Sequence, residues 1–320
     1  MITLKKPKLL FEKLVEGIHN AKQLDRPIVV SITMEYDKYD ALTFFSQGKQ
    51  QFDRRSFWSD PKRELTLVGI HSALSLEASG RNRFNELHGQ WQDLLKEAII
   101  IGNDKHLATG PTIIGGFRFD PLKEKTQLWK SFPDAKLILP KYMLTNHLDK
   151  TYLTTNFVLT KMDNPEEIEK QTESDCATLF HSKTEHQMHT STTFVKEEIN
   201  PQSWIKMVEK TTDEIKKQKI QKVVLARELR LYASQAFSPE SVLQRLLTEQ
   251  TSSFVFAFEE GNDCFIGATP ERLAKREDEQ ILFTCLAGSM KRGETVTEDE
   301  QLGNFLLRDP KNRHEHQLVV

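Results

Sequence analysis

The alternation of apolar and polar residues in the first half of the chain predicts mixed helical and extended structure. Apolar residues at helical spacing predict a first helix around residues 11–21, which Pro27 separates from a strand over residues 28–32. A long amphipathic helix is predicted over residues 84–98, with Trp91 packed in the core. Further strands are predicted over residues 65–70, 137–139 and 152–160.

Two adjacent glycines, Gly115 and Gly116, interrupt the apolar segment GPTIIGGFRFDP. Glycines in such a segment predict either a bulged strand or a close approach of another backbone. A phosphate-binding loop would need a lysine and a hydroxyl residue after its last glycine, whereas Phe117 and Arg118 occupy those positions. We therefore do not expect nucleotide binding here.

Residues 163–190 have few large apolar side chains, and we interpret them as a polar connection. His181, His186 and His189 lie in this stretch, but their spacing does not match the i, i+4 pair of a helical zinc site. Solvated histidines are the simpler interpretation.

The pattern becomes clearer beyond this stretch, where a new structural unit is predicted. Asn200–Pro201 predicts the cap and first residue of a helix. The segment KVVLARELRL, residues 222–231, alternates like a strand and places Lys222 on a small, apolar face. Ser238–Pro239 predicts another helix start. An antiparallel meander is predicted from residues 252–260, 264–269 and 281–288, with a Gly261–Asn262 turn between the first two strands.

Composition limits the classes of function. The chain has 320 residues with 46 acidic and 44 basic side chains, so no overall field would attract nucleic acid or an anionic membrane. Its three cysteines, Cys176, Cys264 and Cys285, are too widely spaced for a structural zinc site or a disulfide framework. No signal-peptide pattern or membrane-spanning apolar run is visible. We therefore expect a soluble, cytoplasmic protein.

Lys222 and Glu271 are the candidate base and acid. A lysine on an apolar strand face loses solvation in its charged form, so its pKa is expected to fall and its neutral amine could accept a proton. Glu271 follows Pro270 at a predicted strand end, where it could donate a proton. Both residues have ordinary alternatives, because Lys222 could extend its ammonium to water and Glu271 could pair with Arg272.

Two further segments could bind an anion and a cation. Backbone amides around Gly288 and Ser289 could receive a small anionic substrate, although a simple turn would also explain the segment LAGS. Asp309–Pro310 predicts a helix start, and Glu315 in that helix could ligate Mg²⁺. The histidines that flank Glu315 do not share its helix face, which makes a zinc site geometrically poor. A surface charge cluster is the alternative.

Five segments occur in order in the second half of the chain: KVVLAR, FIGATPERL, CLAGSMKRG, TEDEQLGNFLL and KNRHEHQLVV. Together they resemble the chorismate-utilising enzyme family, which includes isochorismate, anthranilate, aminodeoxychorismate and salicylate synthases. The resemblance is strongest over residues 196–320. In the first half, three stretches are similar to menaquinone-type isochorismate synthases in particular. They are FWSDP, GPTIIGGFRFDP, and the stretch from the W-x-x-FP pattern through LILP.

The resemblance implies a reaction. Family members that add water have lysine at the position of Lys222, whereas those that add ammonia from a glutaminase partner typically have glutamine. Water would attack chorismate at C2 with loss of the C4 hydroxyl, giving isochorismate for menaquinone biosynthesis. Lys222 would deprotonate the water, Glu271 would protonate the leaving group, and Glu315 with a second glutamate would hold Mg²⁺. No glutaminase subunit is expected.

The resemblance also implies an α+β fold, with large antiparallel sheets packed face to face and helices outside. Residues 1–195 are expected to form an N-terminal α+β region, and residues 196–320 a chorismate-binding catalytic region of the same body. The family's second metal-binding glutamate and its substrate-carboxylate arginine follow the motifs seen here. We therefore expect the chain to be incomplete at its C-terminus, inactive alone and left with exposed sheet edges.

Other functions stay open at this point. A salicylate synthase or a siderophore-pathway isochorismate synthase would share Lys222, and product analysis would separate them. Anthranilate synthase is disfavoured by Lys222. A noncatalytic fragment that binds chorismate is the alternative from a different class of protein, and binding without turnover would support it.

Overall fold

A computed structural model describes residues 7–49, 51–102, 108–181 and 193–318. The chain divides into two units, Met1–Met188 with Ser238–Pro270 and His189–Phe237 with Glu271–Val320. The units therefore interleave along the chain. The predicted regions 1–195 and 196–320 of one body stay a prediction. Among the described residues, no helix has both the length and the apolar character needed to cross a bilayer.

Helices and strands are mixed throughout the described residues, and the predicted α+β class is confirmed. The helices are α1 (Pro7–Leu24), α2 (Ala41–Gln47), α3 (Arg83–Leu95), α4 (Pro165–His181), α5 (Pro201–Lys216), α6 (Pro239–Glu249), α7 (Val296–Arg308) and α8 (Pro310–Gln317), with a 3₁₀ turn at Gln127–Trp129. The strands are β1 (Ile28–Tyr36), β2 (Arg55–Ser59), β3 (Leu65–Ala78), β4 (Ile99–Ile101), β5 (Ile114–Phe117), β6 (Ala135–His147), β7 (Lys150–Leu159), β8 (Phe194–Glu198), β9 (Leu229–Ala233), β10 (Phe254–Glu260), β11 (Asp263–Thr269), β12 (Lys275–Glu277) and β13 (Gln280–Leu282).

In the described part of the first unit, the main element is one large sheet of nine strands. Its order is β11-β10-β2-β3-β6-β7-β1-β4, with β5 paired to β6. The pair β1–β4 is parallel, and the other pairs are antiparallel. Between β10 and β11 the chain turns at Gly261, whose φ of +59° is readily adopted by glycine. The two strands predicted on either side of this turn are confirmed.

The main core lies on one face of this sheet. Buried apolar residues of β1, β2, β3, β6, β7 and β10 pack there against α1, α2, α4 and α6. Leu14 of α1 is fully buried, so the predicted first helix and its apolar face are confirmed. Trp91 of α3 packs against a smaller cluster that contains Leu76 and Leu87, and its predicted core position is also confirmed.

Strand β5 approaches β6 very closely at Gly115. A Cβ atom on Gly115 would lie 1.9 Å from the carbonyl oxygen of Lys136, whereas one on Gly116 would meet nothing within 4 Å. The predicted close approach of a backbone is therefore confirmed, and Gly115 is the residue that requires it.

The interpretation of residues 163–190 as a polar connection is wrong, because most of the described part of this stretch forms α4. Cys176, Leu179 and Phe180 are buried in the main core. Thr172 and Asp175 are also buried, although both are polar. His186, His189 and the side chain of His181 lie outside the described residues.

Asp175 is buried within a hydrogen-bonded cluster between α4 and β6. Its Oδ2 accepts hydrogen bonds from Tyr142 Oη at 2.5 Å and from Lys141 Nζ at 3.0 Å, and Gln171 Nε2 donates to its Oδ1 at 2.7 Å. Burial and the neighbouring Asp175 raise the pKa of Tyr142. Hydrogen bonds between polar side chains thus contribute to the packing of α4 against the sheet.

The second unit contains α5, α7, α8 and the antiparallel pairs β8–β9 and β12–β13. The predicted strand over residues 222–231 is wrong for residues 222–228, which form no regular structure, and only Leu229–Ala233 pairs. The third meander strand predicted over residues 281–288 is also wrong. Only Gln280–Leu282 is extended there, and it pairs with Lys275–Glu277 in a separate hairpin.

Helix starts were largely predictable. Ser238 caps α6 by accepting a hydrogen bond from the Ser241 amide, and Pro239 follows as predicted. Helix α5 begins at Pro201 as predicted, but Asn200 has a left-handed φ of +50° and makes no side-chain cap. The predicted Asn200 cap is therefore wrong.

Candidate active site

Helix α8 is the element around which the predicted site residues gather. Asp309 caps it by accepting a hydrogen bond from the Asn312 amide at 2.8 Å, and Pro310 occupies the first turn as predicted. Asn312 and Glu315 are half-buried, while the other residues of α8 are exposed. Because residues three apart share a helix face, these two side chains point to the same side.

Lys222 and Glu315 form a direct ion pair. Lys222 Nζ lies 2.9 Å from Glu315 Oε1, and the two side chains are 34% and 35% exposed. The hydrogen bond from Lys222 and its positive charge lower the pKa of Glu315, with a smaller contribution from Lys311. The prediction that Lys222 stands on a small, apolar strand face is wrong, because its segment is irregular and the residue is exposed.

The segment Cys285–Ser289 contacts the same helix. Gly288 has a left-handed φ of +74°, and a Cβ atom there would lie 2.6 Å from Asn312 Cγ. Cys285 Sγ donates a weak hydrogen bond to the carbonyl oxygen of His316 at 3.8 Å. The structure therefore brings Gly288 to the helix that bears Glu315, and Ser289 is the next, exposed residue.

The basic residues after Ser289 are engaged by the following helix. Arg292 Nε donates to Asp299 Oδ1 at 2.7 Å, and the Gly293 amide donates to the same oxygen at 2.8 Å. These hydrogen bonds lower the pKa of Asp299 to about 2. Arg292 is thus paired within the protein with Asp299, in the first turn of α7.

Glu271 is exposed and directly follows Pro270, beyond the end of β11. Pro270 is the last residue of the first unit in this part of the chain, and Glu271 is the first of the second. Its position at a strand end is confirmed. Its role as the acid that complements Lys222 stays a prediction.

The fit of Mg²⁺ can be examined from the donor atoms present. Glu315 supplies a carboxylate oxygen, the ligand type that Mg²⁺ prefers. However, no group of three or more His, Cys, Asp or Glu side chains suited to a metal occurs in the part of the chain that the structure describes. Glu315 therefore fits as one ligand, and these residues alone do not form a complete site.

Asn312 is the site residue that sequence reasoning missed. Its carboxamide lies against Gly288, one helical turn before Glu315. The i, i+3 spacing from Glu315 was a usable signal for it in the sequence. Contact with Gly288 depends on how a distant segment folds, which no local pattern reports.

Comparisons with known proteins bear on this arrangement. Residues 16–320 match the family described as chorismate binding enzyme. The isochorismate synthase MenF of Bacillus subtilis (strain 168) is 34% identical over 315 residues, which are 97% of this chain and 67% of that protein. The salicylate biosynthesis isochorismate synthase of Pseudomonas aeruginosa is 30% identical over 309 residues, 95% of this chain and 63% of that protein.

A solved structure shows the same fold. MenF, the menaquinone-specific isochorismate synthase from Escherichia coli, superposes with a TM-score of 0.69 at 20% identity, covering 96% of this chain and 67% of that one. The chain thus spans about two thirds of the length of these relatives, at 67% and 63% of the two curated proteins. Since the family match extends over residues 16–320, the chain belongs to the chorismate-binding enzyme family.

Proposed function

We propose that the function of this chain is that of an isochorismate synthase, which converts chorismate to isochorismate for menaquinone biosynthesis. The observation that supports it best is the grouping of Lys222, Gly288 and Glu315 at α8, because it joins a candidate base, a candidate anion-binding backbone and a carboxylate. The relatives at 34% and 30% identity, both named as isochorismate synthases, support the same reaction.

The proposed chemistry assigns one proton transfer to each of two side chains. Lys222 removes a proton from water as the oxygen attacks C2 of chorismate. The ring double bond shifts, and Glu271 donates a proton to the departing C4 hydroxyl, which leaves as water. A lysine accepts a proton only as the neutral amine, so Lys222 must first lose a proton from the ammonium form that pairs with Glu315.

Mg²⁺ is the proposed cofactor, and bound Mg²⁺ would neutralise the substrate carboxylate. Glu315 would provide one oxygen ligand to it, with the remaining ligands supplied by the substrate, water or residues outside those described. The Gly288–Ser289 backbone would hold the anionic end of chorismate. A cytoplasmic location, the absence of a glutaminase subunit and inactivity of the chain alone stay predictions.

Substitution of the base and acid tests the proposal. In a version of the chain joined to the part of the Bacillus subtilis relative that it does not match, Lys222→Ala and Glu271→Gln are each expected to lower kcat for isochorismate formation by about 10²- to 10⁴-fold, because each removes one proton transfer. Lys219→Ala is the matched control, since Lys219 pairs with Glu214 in the same unit, 3.1 Å away. Circular dichroism checks that each variant folds. Full activity of Lys222→Ala would refute the assignment of the base.

The pathway has a second candidate. The relative from Pseudomonas aeruginosa is named for salicylate biosynthesis, so isochorismate made here could supply that route instead. A salicylate synthase is a separate alternative, which chromatography of the products tests, because it would release salicylate and pyruvate whereas an isochorismate synthase for either pathway would stop at isochorismate.

A further inference from the structure

The side chain of Asn312 lies between two parts of the candidate active site. It shares a face of α8 with Glu315, three residues further along, and both side chains are half-buried. On its other side it contacts Gly288. Neither the proposed proton transfers nor the proposed Mg²⁺ ligation uses Asn312.

Two contacts fix how the segment Cys285–Gly288 passes α8. Its first residue, Cys285, meets the carbonyl oxygen of His316 near the end of the helix. Its last residue, Gly288, meets Asn312 near the beginning of the helix. The segment therefore runs antiparallel to α8 and passes the level of Glu315 on the way.

The contact between Gly288 and Asn312 is one of shape. A Cβ atom on Gly288 would lie 2.6, 2.7 and 3.0 Å from Cγ, Oδ1 and Nδ2 of Asn312, so the carboxamide fills the space that a side chain would need. The left-handed φ of +74° favours glycine at this position for a second, independent reason. Gly288, in the segment Cys285–Gly288 that we call the loop, and Asn312 of α8 thus have complementary shapes.

We propose that Asn312 is a positioning residue that sets the separation between the Gly288–Ser289 backbone and Glu315. It acts through Gly288: the carboxamide determines how near the loop lies to the helix. This inference rests on the proposed function, in which that backbone holds the anionic end of chorismate and Glu315 holds the cation. Asn312 would then fix the distance between the two groups that orient the substrate.

The alkylation rate of Cys285 reports the position of the loop, and measuring it does not require an active enzyme. Alkylation by iodoacetamide, followed by peptide mass spectrometry, reports how accessible the half-buried Cys285 thiol is beside α8, and the peptides distinguish it from Cys176 and Cys264. Asn312→Ala is expected to raise the alkylation rate of Cys285 about tenfold, because loss of the contact favours the open loop. An unchanged rate would overturn the proposal.

A conservative variant and a matched control distinguish positioning of the loop by Asn312 from a general destabilisation of the protein. Asn312→Asp has the same shape and is expected to keep the rate within about twofold of the parent. Asn304→Ala makes the same truncation as Asn312→Ala, but on an exposed position of α7, and should leave the rate unchanged. An equal rise in Asn312→Asp or Asn304→Ala would show that the shape of Asn312 does not position the loop.

A second variant tests the contact from the loop side. Gly288→Ala should also raise the alkylation rate, because its Cβ atom would overlap the Asn312 carboxamide. The double variant with Asn312→Ala should show less than the product of the two single effects, because truncation of Asn312 removes that overlap. Independent, multiplicative effects would overturn the proposed contact.

Chorismate affinity, measured by isothermal titration, tests the link to substrate. A weaker affinity in Asn312→Ala than in Asn304→Ala, together with faster alkylation, supports the full inference. Faster alkylation with unchanged affinity would overturn the role of Asn312 in substrate positioning. If no version bound chorismate while the alkylation pattern held, the proposed function would fail and the positioning of the loop by Asn312 would stand.

Discussion

At the residue scale, the clearest electrostatic feature of the site is the pair between Lys222 and Glu315. Lys222→Met is expected to raise the pKa of Glu315 towards the ordinary value for glutamate, because both the hydrogen bond and the nearby charge are lost. NMR titration of the Glu315 carboxyl measures this. Lys219→Met, which removes an ammonium paired with Glu214, is the control. An unchanged Glu315 pKa would contradict the observed pair.

Arg55 is a second residue whose charge is central, here to stability. Its side chain is 4% exposed, and it donates to Glu240 Oε1 at 2.6 Å and to Glu259 Oε2 at 2.8 Å. Arg55→Met would leave two carboxylates without their main partner and should lower the free energy of unfolding by about 3–5 kcal/mol. Urea denaturation measures the change.

The matched control for Arg55 is Arg245. Arg245 forms an exposed pair with Glu249, with side chains 70% and 56% exposed. Arg245→Met should change the free energy of unfolding by less than about 1 kcal/mol. Similar losses from Arg55→Met and Arg245→Met would show that burial does not govern the contribution of Arg55.

The pH dependence of folding should reflect Glu240. Burial by itself would raise its pKa, but hydrogen bonds from Ser238 and Arg55 outweigh burial and lower the pKa to about 2. An unfolded glutamate has a pKa of about 4.3. The stabilisation is therefore fully present above that pH and is lost as the pH falls towards 2. In Glu240→Gln, urea midpoints between pH 5 and 2 should fall less steeply than in the parent, and an equal slope would count against this account.

At the scale of elements, β5 provides a sharp comparison between neighbours. Gly115→Ala places a Cβ atom against the Lys136 carbonyl oxygen and should lower the free energy of unfolding by about 1–3 kcal/mol. Gly116→Ala meets no neighbouring atom and should be neutral or stabilising by up to about 1 kcal/mol. Thermal unfolding distinguishes them, and equal effects would contradict the close approach at Gly115.

Elements defined by local signals were predictable. Prolines at the starts of α5, α6 and α8 marked those helices, and the Gly261–Asn262 turn marked the β10–β11 hairpin. Such signals act within a few residues, so the sequence contains them directly. The apolar spacing of α1 was equally clear.

Two elements were misread for identifiable physical reasons. Helix α4 buries Thr172, Asp175 and Cys176 beside its larger apolar residues. A prediction based on large hydrophobic side chains therefore did not identify this stretch as a packed helix. The segment 222–228 alternates like a strand, but β8 extends only over Phe194–Glu198 and pairs with Leu229–Ala233. Alternation indicates a possible strand, and pairing requires a partner that lies far away in sequence.

At the scale of the whole molecule, motif order indicated the family, and the match over residues 16–320 confirms it. The types of the site residues were therefore predictable. Their geometry was not, because Lys222, Gly288 and Glu315 are separated by long stretches of chain and meet only through the fold of the second unit. The prediction that Lys222 loses solvation on an apolar strand face was wrong for the same reason.

The most direct test of the central claim is product analysis by chromatography after incubation with chorismate and Mg²⁺. It compares this chain alone with a version joined to the part of the Bacillus subtilis relative that it does not match. We predict isochorismate from the joined version, its loss in the joined Lys222→Ala variant, and no turnover by this chain alone. Salicylate, anthranilate formed with added ammonium, or no isochorismate from either version would contradict the proposed function.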